Sequence, residues 1–131
     1  KTPTWYVFHM YKAHMDATLL KSTVATGTVG IEDDAKLNAI TASSSKKDGV
    51  YTITLTNADL DNSREVTVSL EAFGKNIETA AAKVLAGEKM NSMNTFENPE
   101  QVVEKDLAIQ TKGTDIVVKM PARSVVTITV K

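Results

Sequence analysis

The chain has 131 residues, a formal net charge of −1 at pH 7 and no cysteine. This length suits one domain with its own core, the interspersed charges leave no basic stripe for nucleic acid, and disulfides, thiolate nucleophiles and cysteine metal sites are excluded. No apolar run reaches the roughly 18 residues of a membrane span, so we expect a soluble domain without a membrane partner, while the compartment (cytoplasmic, periplasmic or secreted) stays open.

The first predicted element is one helix over residues 1–19. Thr2 can cap its N-terminus, and Pro3 fits the first turn because the N–H that proline lacks would have no partner inside the helix. Apolar side chains surround this helix on all sides: Trp5, Tyr6, Val7, Phe8, Met10, Tyr11, Ala13 and Met15. A helix of this kind is typical of burial on more than one side. Residues 20–131 are too few to surround it, so we expect a partner that lies outside this chain.

The same helix gives an expectation for the isolated chain. One of its faces, including Phe8 or Trp5, should pack on the rest of the chain. Another face should be exposed or covered by a second copy, because large exposed apolar patches favour association. Self-association is therefore an expected property of the chain.

After the helix the pattern changes to short β-rich runs. Residues 37–44 and 50–56 are predicted to form a hairpin, because Asp48-Gly49 between them supplies the positive φ angles of a tight turn. In the second strand, Tyr51, Ile53 and Leu55 alternate with threonines. This alternation predicts one buried face and one face in water.

Alternation predicts three more strands, over residues 66–70, 116–120 and 126–130, and the last two are expected to form a closing hairpin around Pro121. Residues 77–87 are compatible with a helix or a strand, and we favour a strand. These elements predict a mainly β fold, a two-sheet sandwich. The predicted core residues are those on the apolar phase of each strand: Tyr51, Ile53, Leu55, Val66, Val68, Leu70, Val118, Val126 and Ile128. The long irregular segment 90–103 is predicted to be functional or an interface.

Few residues suggest chemistry. His9 and His14 are five apart, so on a helix they point about 140° apart and cannot hold one metal ion from one face. The acidic groups in predicted loops are interpreted as solvated turn residues: Glu32 to Asp34, Asp59 with Asp61, and Glu97 with Glu100. Residues 27–30 lack the rest of any phosphate-binding motif. We therefore predict no catalytic, cofactor or metal site.

A sugar-binding surface would need aromatic rings displayed on a sheet, since flat rings stack on the apolar faces of sugars. The predicted β region offers only Tyr51, Phe73 and Phe96. Tyr51 and Phe73 are assigned to buried strands by their phase. Phe96 alone is expected to be displayed.

Three segments carry a resemblance. Residues 2–17, TPTWYVFHMYKAHMDA, resemble the motif T-P-T-Y-x-V-F-x-M-Y-K-x-H-x-D-A near the end of the catalytic barrel in family 51 α-L-arabinofuranosidases, with Trp5 and Met15 where Tyr and Gln are usual. Residues 82–102 are similar to that family's M-N-x-x-N-T-F-E-x-P-E-x-V stretch, and residues 120–128 are similar to its final L-P-P-x-S-V segment. The three matches occur in the family's order and span nearly the whole chain.

The resemblance implies a C-terminal β-sandwich of jelly-roll type over residues 20–131, preceded over residues 1–19 by the last helix of a catalytic barrel. The family's enzymes are retaining glycosidases that release terminal arabinofuranose from arabinan and arabinoxylan, using two barrel glutamates. No position in this chain corresponds to either glutamate, so the resemblance assigns no catalytic residue here.

The leading hypothesis is an accessory domain that is inactive alone and stabilises the missing barrel. Its predicted interface residues are Trp5, Phe8, Tyr11, Asn94 and Phe96. The alternatives are an independent carbohydrate-binding module, which would need displayed aromatic rings or a calcium-supported site, and an immunoglobulin-like interaction module, which does not account for the opening helix.

Overall fold

The computed structural model describes residues 1–20, 28–29, 37–70 and 77–131. The chain begins with helix α1, Pro3–Tyr11, and a 3₁₀ turn, Lys12–His14. The strands of the described part follow in chain order: β1 Thr18–Leu20, β2 Thr28–Val29, β3 Leu37–Asn38, β4 Ile40–Lys47, β5 Val50–Asn57, β6 Arg64–Ser69, β7 Ala80–Ala86, β8 Lys105–Leu107, β9 Gln110–Lys112, β10 Asp115–Met120 and β11 Ser124–Val130. The predicted mainly β fold with an N-terminal helix is confirmed.

The helix is shorter than predicted. It ends at Tyr11, and after the 3₁₀ turn Met15 is extended (ψ 130°) while Asp16 takes a left-handed conformation with φ 58°. Aspartate tolerates this conformation better than most residues, and one such residue is enough to end a helical path. The chain then enters β1, whose Thr18 pairs with Lys46 of β4.

The strands form a large and a small antiparallel sheet. The six-stranded sheet has the order β1-β4-β5-β11-β7-β8, and the three-stranded sheet has the order β6-β10-β9. Strands β2 and β3 pair separately. In the large sheet, β11 lies between β5 and β7 and is hydrogen-bonded to both.

The predicted hairpin over residues 37–56 is confirmed as β4–β5. Lys47 pairs with Val50 across a two-residue turn, in which Asp48 has φ 53° and Gly49 has φ 80°. Positive φ at both turn residues is the feature that matches the twist of paired strands. The short Asp-Gly sequence therefore sets the register of two central strands.

The predicted closing hairpin is wrong. β10 pairs with β6 and β9 in the small sheet, whereas β11 pairs with β5 and β7 in the large sheet. Between them, the turn at Pro121 and Arg123 (φ 53°) carries the chain from one sheet to the other. Alternation reports which side chains face inward, and two strands in opposite sheets of a sandwich show the same alternation as two strands of a hairpin. The favoured strand within residues 77–87 is confirmed as β7.

The main core lies between the two sheets. Ile116, Val118 and Met120 of the small sheet are fully buried against the large sheet. Of the nine predicted core residues, five are buried: Ile53, Leu55, Val118, Val126 and Ile128. The other four are partly buried and pack against the same core: Tyr51, Val66, Val68 and Leu70. The predicted strand registers are therefore correct.

The second face of the large sheet is also covered, which corrects the prediction that the threonine face of β5 lies in water. Thr52 and Thr54 are buried, as is Ser45 on β4. A second apolar cluster lies on this outer face, and its buried members are Met10, Leu85 and Val102. The cover comes from α1, the 3₁₀ turn and the end of the 90–103 segment, which are remote in sequence from β5.

Candidate functional site

Helix α1 lies on the outer face of the large sheet. Thr2 caps it, its hydroxyl oxygen accepting from the N–H of Trp5 at 3.1 Å, and Pro3 occupies the first turn. Met10 is buried against Leu85 and Val102, and the second cluster also includes the partly buried side chains of Tyr6, Val7, Tyr11 and Val125. The helix is therefore attached to the sandwich by the side that carries Met10.

The other side of α1 is open. Trp5 is 42% exposed and Phe8 is 74% exposed. The expectation that Phe8 or Trp5 makes the contact with the sandwich is wrong, because residues 6, 7, 10 and 11 form the helical stripe that meets the sheet. This face of the helix is thus uncovered by the described part of the chain, and its coverage by a second copy stays a prediction.

Asn94 holds the 90–103 segment next to the start of α1. Its side-chain amide donates to the carbonyl oxygens of Lys1 at 2.8 Å and Val102 at 2.7 Å, and its side-chain oxygen accepts from the N–H of Val102 at 2.6 Å. All of these partners are backbone atoms of this chain. Asn94 therefore positions the loop, and it is only partly accessible to a partner.

The loop that Asn94 positions displays further apolar side chains. Phe96 is fully exposed, and Met90 and Met93 are 75% and 60% exposed. We use the name helix–loop surface for Trp5 and Phe8 of the helix together with Phe96 of the loop. Single exposed apolar residues are common on proteins, but several large ones on two segments that are hydrogen-bonded to each other are typical of a surface that packs against a partner.

The Trp5 indole is already in contact with two other side chains of this chain. The Lys1 ammonium lies 4.4 Å from the ring centroid, and the His9 imidazole stacks on the ring at 5.1 Å with an interplanar angle of 8°. His9 in turn pairs with Glu104, Nδ1 to Oε1, at 2.8 Å. Sugar recognition by stacking requires a free ring face. The contacts with Lys1 and His9 leave less of the Trp5 ring free for such stacking.

His14 connects the 3₁₀ turn to the large sheet. Its Nδ1 lies 2.6 Å from the Ser45 hydroxyl oxygen, and its Nε2 lies 3.1 Å from the Thr54 hydroxyl oxygen. Burial lowers the pKa of His14 below its ordinary value of 6.5, because the charged imidazolium loses contact with water. His14 thus provides hydrogen-bond partners for the buried hydroxyl groups of Ser45 and Thr54. Its role is structural.

Asp59 is buried, which corrects its interpretation as a solvated turn acid. One carboxylate oxygen accepts from the backbone N–H groups of Asp61 and Asn62, and the other accepts from the Arg64 guanidinium at 3.0 Å. The N–H of Asp61, followed by those of Asn62 and Arg64, holds the pKa of Asp59 below its ordinary value, against the effect of burial. An ionised carboxylate with these hydrogen bonds stabilises the connection between β5 and β6.

A cleft of about 170 Å³ opens beside the start of α1. Its apolar wall is formed by Pro3, Leu85, Val102 and Val125. Met90, Lys89 and Arg123 also line the cleft. The cleft could not be predicted from the sequence, because the residues that line it come from the helix, two strands and the 90–103 loop, which are far apart along the chain.

The described residues contain no group of three or more histidine and acidic side chains placed to bind a metal ion. No helix in these ranges is both long and apolar enough to cross a membrane. The acidic group Glu32 to Asp34, the segment 27–30 and Phe73 lie outside the described residues.

The fold and the site define a β-sandwich domain with a helix on the outer face of its large sheet and an exposed aromatic surface beside it. The chain belongs to the family of α-L-arabinofuranosidase C-terminal domains, whose family model matches residues 1–124. The resemblance of the three sequence segments is thereby confirmed.

Among known proteins, the chain is 38% identical over 131 residues to an intracellular exo-α-L-arabinofuranosidase of Bacteroides ovatus, covering 97% of this chain and 25% of that protein. The solved family 51 arabinofuranosidase from Xanthomonas axonopodis pv. citri superposes with a TM-score of 0.91 at 30% identity, covering 99% of this chain and 26% of that one. A family 51 α-L-arabinofuranosidase from Bifidobacterium longum has the same fold, with a TM-score of 0.87 at 20% identity, covering 100% of this chain and 26% of that one. The chain spans about a quarter of the length of these relatives.

Proposed function

We propose that this chain is the non-catalytic C-terminal domain of an α-L-arabinofuranosidase and that it stabilises the catalytic barrel of the same polypeptide. The helical segment, residues 3–14, is the last helix of that barrel, and the strands from Thr18 onward form the accessory sandwich. The longer protein hydrolyses terminal arabinofuranosyl residues of arabinan or arabinoxylan. The chain itself is inactive, since retaining glycosidases require two carboxyl groups about 5–5.5 Å apart at the scissile bond, and the family's pair belongs to the barrel.

The observation that carries this proposal is the helix–loop surface. Phe8 and Phe96 are 74% and 104% exposed in a chain that corresponds to a quarter of its relatives' length. Aromatic side chains bury more area than most others and dominate interface energies. The barrel therefore packs on Trp5, Phe8 and Phe96, with Tyr11 and Asn94 supporting the helix and the loop from behind.

A carbohydrate-binding module is the second candidate, and the exposed rings of Phe96 and Phe8 favour it. The indole of Trp5 is already in contact with Lys1 and His9. The two rings lie on a helix and a loop and not on a sheet face, so they give a weak platform for a polysaccharide. Saturable binding of arabino-oligosaccharides by the 131-residue chain, lost in Phe96→Ala, would favour this candidate over the barrel interface.

The barrel interface is tested by comparing two proteins, the 131-residue chain and the longer polypeptide that includes the barrel. The double variant Phe8→Ser/Phe96→Ser changes the stability of the short chain by no more than about 0.5 kcal/mol, because both side chains are exposed there. In the longer polypeptide the same variant costs more than about 2 kcal/mol, because truncated interface aromatics leave a desolvated contact empty.

Leu37→Ser is the matched control, since Leu37 is 64% exposed on β3, outside the helix–loop surface. It should have a small effect in both proteins. An equally small effect of the double variant in both proteins would contradict the proposed function.

Sedimentation of the short chain at rising concentration tests the expected self-association. The parent chain should associate through the uncovered helix–loop surface, and the double variant should stay monomeric.

A further inference from the structure

We propose that the cleft beside the start of α1 is a socket for one ring-sized apolar side chain, accompanied by a carboxylate, that the catalytic barrel inserts. This inference rests on the proposed function, because it names the chemistry of the partner at the same surface. Its occupant is a single residue pair of the barrel, with an aromatic or large aliphatic side chain next to an acidic one.

The size of the cleft selects a side chain over a free ligand. Its volume is about 170 Å³. Pockets for small-molecule ligands usually enclose about 300–1,000 Å³, whereas an apolar cavity of about 150 Å³ accommodates one benzene molecule. An arabinose-sized ligand needs more polar partners than the mostly apolar wall of this cleft provides. A single ring or a branched aliphatic side chain fits the volume.

The chemistry of the wall selects an apolar group. Leu85 and Val102 are at most 5% exposed, and they form the floor together with Val125 from the central strand β11. Met90 is 75% exposed and lines the same cleft. Methionine adapts its flexible side chain to irregular neighbours and is frequent at binding surfaces. An apolar occupant would therefore cover both the floor and the exposed methionine.

Two positively charged side chains at the cleft favour a carboxylate as the second group of the occupant. Arg123 donates to the carbonyl oxygens of Gly87 (3.3 Å), Glu88 (2.8 Å) and Leu60, and no carboxylate partner of its guanidinium occurs among the described residues. Lys89 also lines the cleft, and in the described part of the chain its ammonium is without an ion-pair partner. A carboxylate entering with the apolar group would compensate two cations.

The position of the cleft selects the barrel as the source. Pro3 at the start of α1 forms one wall, and Met90 belongs to the loop that also displays Phe96. The cleft is thus lined by residues of the helix and the loop, the two segments that carry the surface on which the barrel is proposed to pack. About three quarters of the length of the relatives lies outside the matched region, so the larger partner is part of the same polypeptide in those proteins.

The first test uses N-acetyl-L-phenylalanine, which combines a ring with a carboxylate, as a probe of the 131-residue chain. Methyl NMR should show saturable shifts at Leu85, Val102 and Val125, with a dissociation constant in the millimolar range. N-acetyl-L-phenylalaninamide, which lacks the charge, should bind several-fold more weakly. Met90→Glu should weaken binding of the charged probe at least tenfold. The matched control Met15→Glu, at a methionine that is 63% exposed away from the cleft, should leave it unchanged.

The second test repeats the titration in the longer polypeptide, where the barrel side chain occupies the socket. The same probe should then bind at least tenfold more weakly or not at all. Absence of saturable shifts in the short chain, or equal binding in both proteins, would overturn the socket. These outcomes are separate from those of the Phe8→Ser/Phe96→Ser comparison: a destabilised double variant together with an open cleft removes the socket and leaves the barrel interface intact.

Discussion

The Nδ1 atom of His14 lies 2.6 Å from the hydroxyl oxygen of Ser45, a residue 31 positions further along the chain. This contact ties the end of the helical segment to strand β4, and Ser45 is only 4% exposed. The helix is therefore attached to the sandwich by a polar contact as well as by the Met10 cluster.

Ser45→Ala should destabilise the 131-residue chain by about 1–3 kcal/mol, because it removes a hydrogen bond and leaves a partly buried ring nitrogen without its partner. Urea unfolding followed by far-ultraviolet circular dichroism measures this. Ser43→Ala is the control, since Ser43 is exposed on the same strand and the change should cost no more than about 0.5 kcal/mol. Equal costs for the two variants would show that the His14 contact adds nothing to stability.

The lowered pKa of His14 gives a prediction for the pH dependence of folding. The unfolded chain takes up the proton near the ordinary pKa of 6.5, and the folded chain does so only at lower pH. The stability contributed by neutral His14 is therefore fully present above pH 6.5 and decreases as the pH falls from that value towards the folded pKa.

Urea unfolding at several pH values between 8 and 5 should show this decrease in the parent chain. His14→Gln, which cannot titrate, should flatten it, whereas His9→Gln should retain it. A parent and a His14→Gln variant with parallel pH profiles would contradict the assignment of the decrease to His14.

The two leucines on the predicted apolar phase should respond differently to truncation. Leu55 is 2% exposed in the core between the sheets, whereas Leu70 is only partly buried at the end of the small sheet. Leu55→Ala should cost about 2–5 kcal/mol, the range for a buried leucine. Leu70→Ala should cost clearly less, since part of its side chain stays in water in the folded state. Chemical denaturation of both variants measures the difference, and a larger cost at Leu70 would mean that the burial of these two side chains is misassigned.

Gly87 lies where the chain has no room for a side chain. A Cβ atom at this position would approach Ser92 Cβ to 2.9 Å and the carbonyl oxygen of Lys89 to 3.2 Å. Gly87→Ala should therefore destabilise the chain by about 1–3 kcal/mol through overpacking.

A double-mutant cycle tests the cause of this cost. Ser92→Gly removes the nearer contact, so the cost of Gly87→Ala should be smaller in that background. The reference is Ser92→Gly alone, which loses the hydrogen bond from the Lys89 N–H to the Ser92 hydroxyl. Additive costs in the double variant would contradict a direct clash.

The local elements could be predicted from the sequence where one residue type determines the backbone. Asp48-Gly49 specified the β4–β5 turn, and Thr2-Pro3 specified the start of α1, because these residues act on their own φ angles or on N–H groups within three residues of them. Alternation also placed Ile53 and Val126 in the core correctly. The pattern could not report the sheet to which β10 or β11 belongs, since inward-facing residues look the same in either sheet.

The covered outer face could not be predicted for a related reason. Thr54 has the alternation of a solvent-facing residue, and only the fold brings His14 onto it from 40 positions away. The helix stripe was also ambiguous, because an all-round apolar helix does not reveal which side meets the sheet. Sequence analysis predicted that Phe96 is displayed, whereas the cleft required the arrangement of four separate segments.

The place of β11 in the large sheet has a consequence for the order in which the chain can assemble. β11 is the last of the described strands to be synthesised, yet it is the strand that joins the β1-β4-β5 half of the sheet to the β7-β8 half. Until β11 has been synthesised, the two halves of the sheet cannot be joined, and each has an unpaired edge strand. Unpaired edge strands are templates for pairing with other chains. Closure requires contacts between residues far apart in sequence, which makes this step slow. Co-translational folding on the ribosome should therefore stall at a half-sheet stage, and chaperone dependence should be concentrated in that interval.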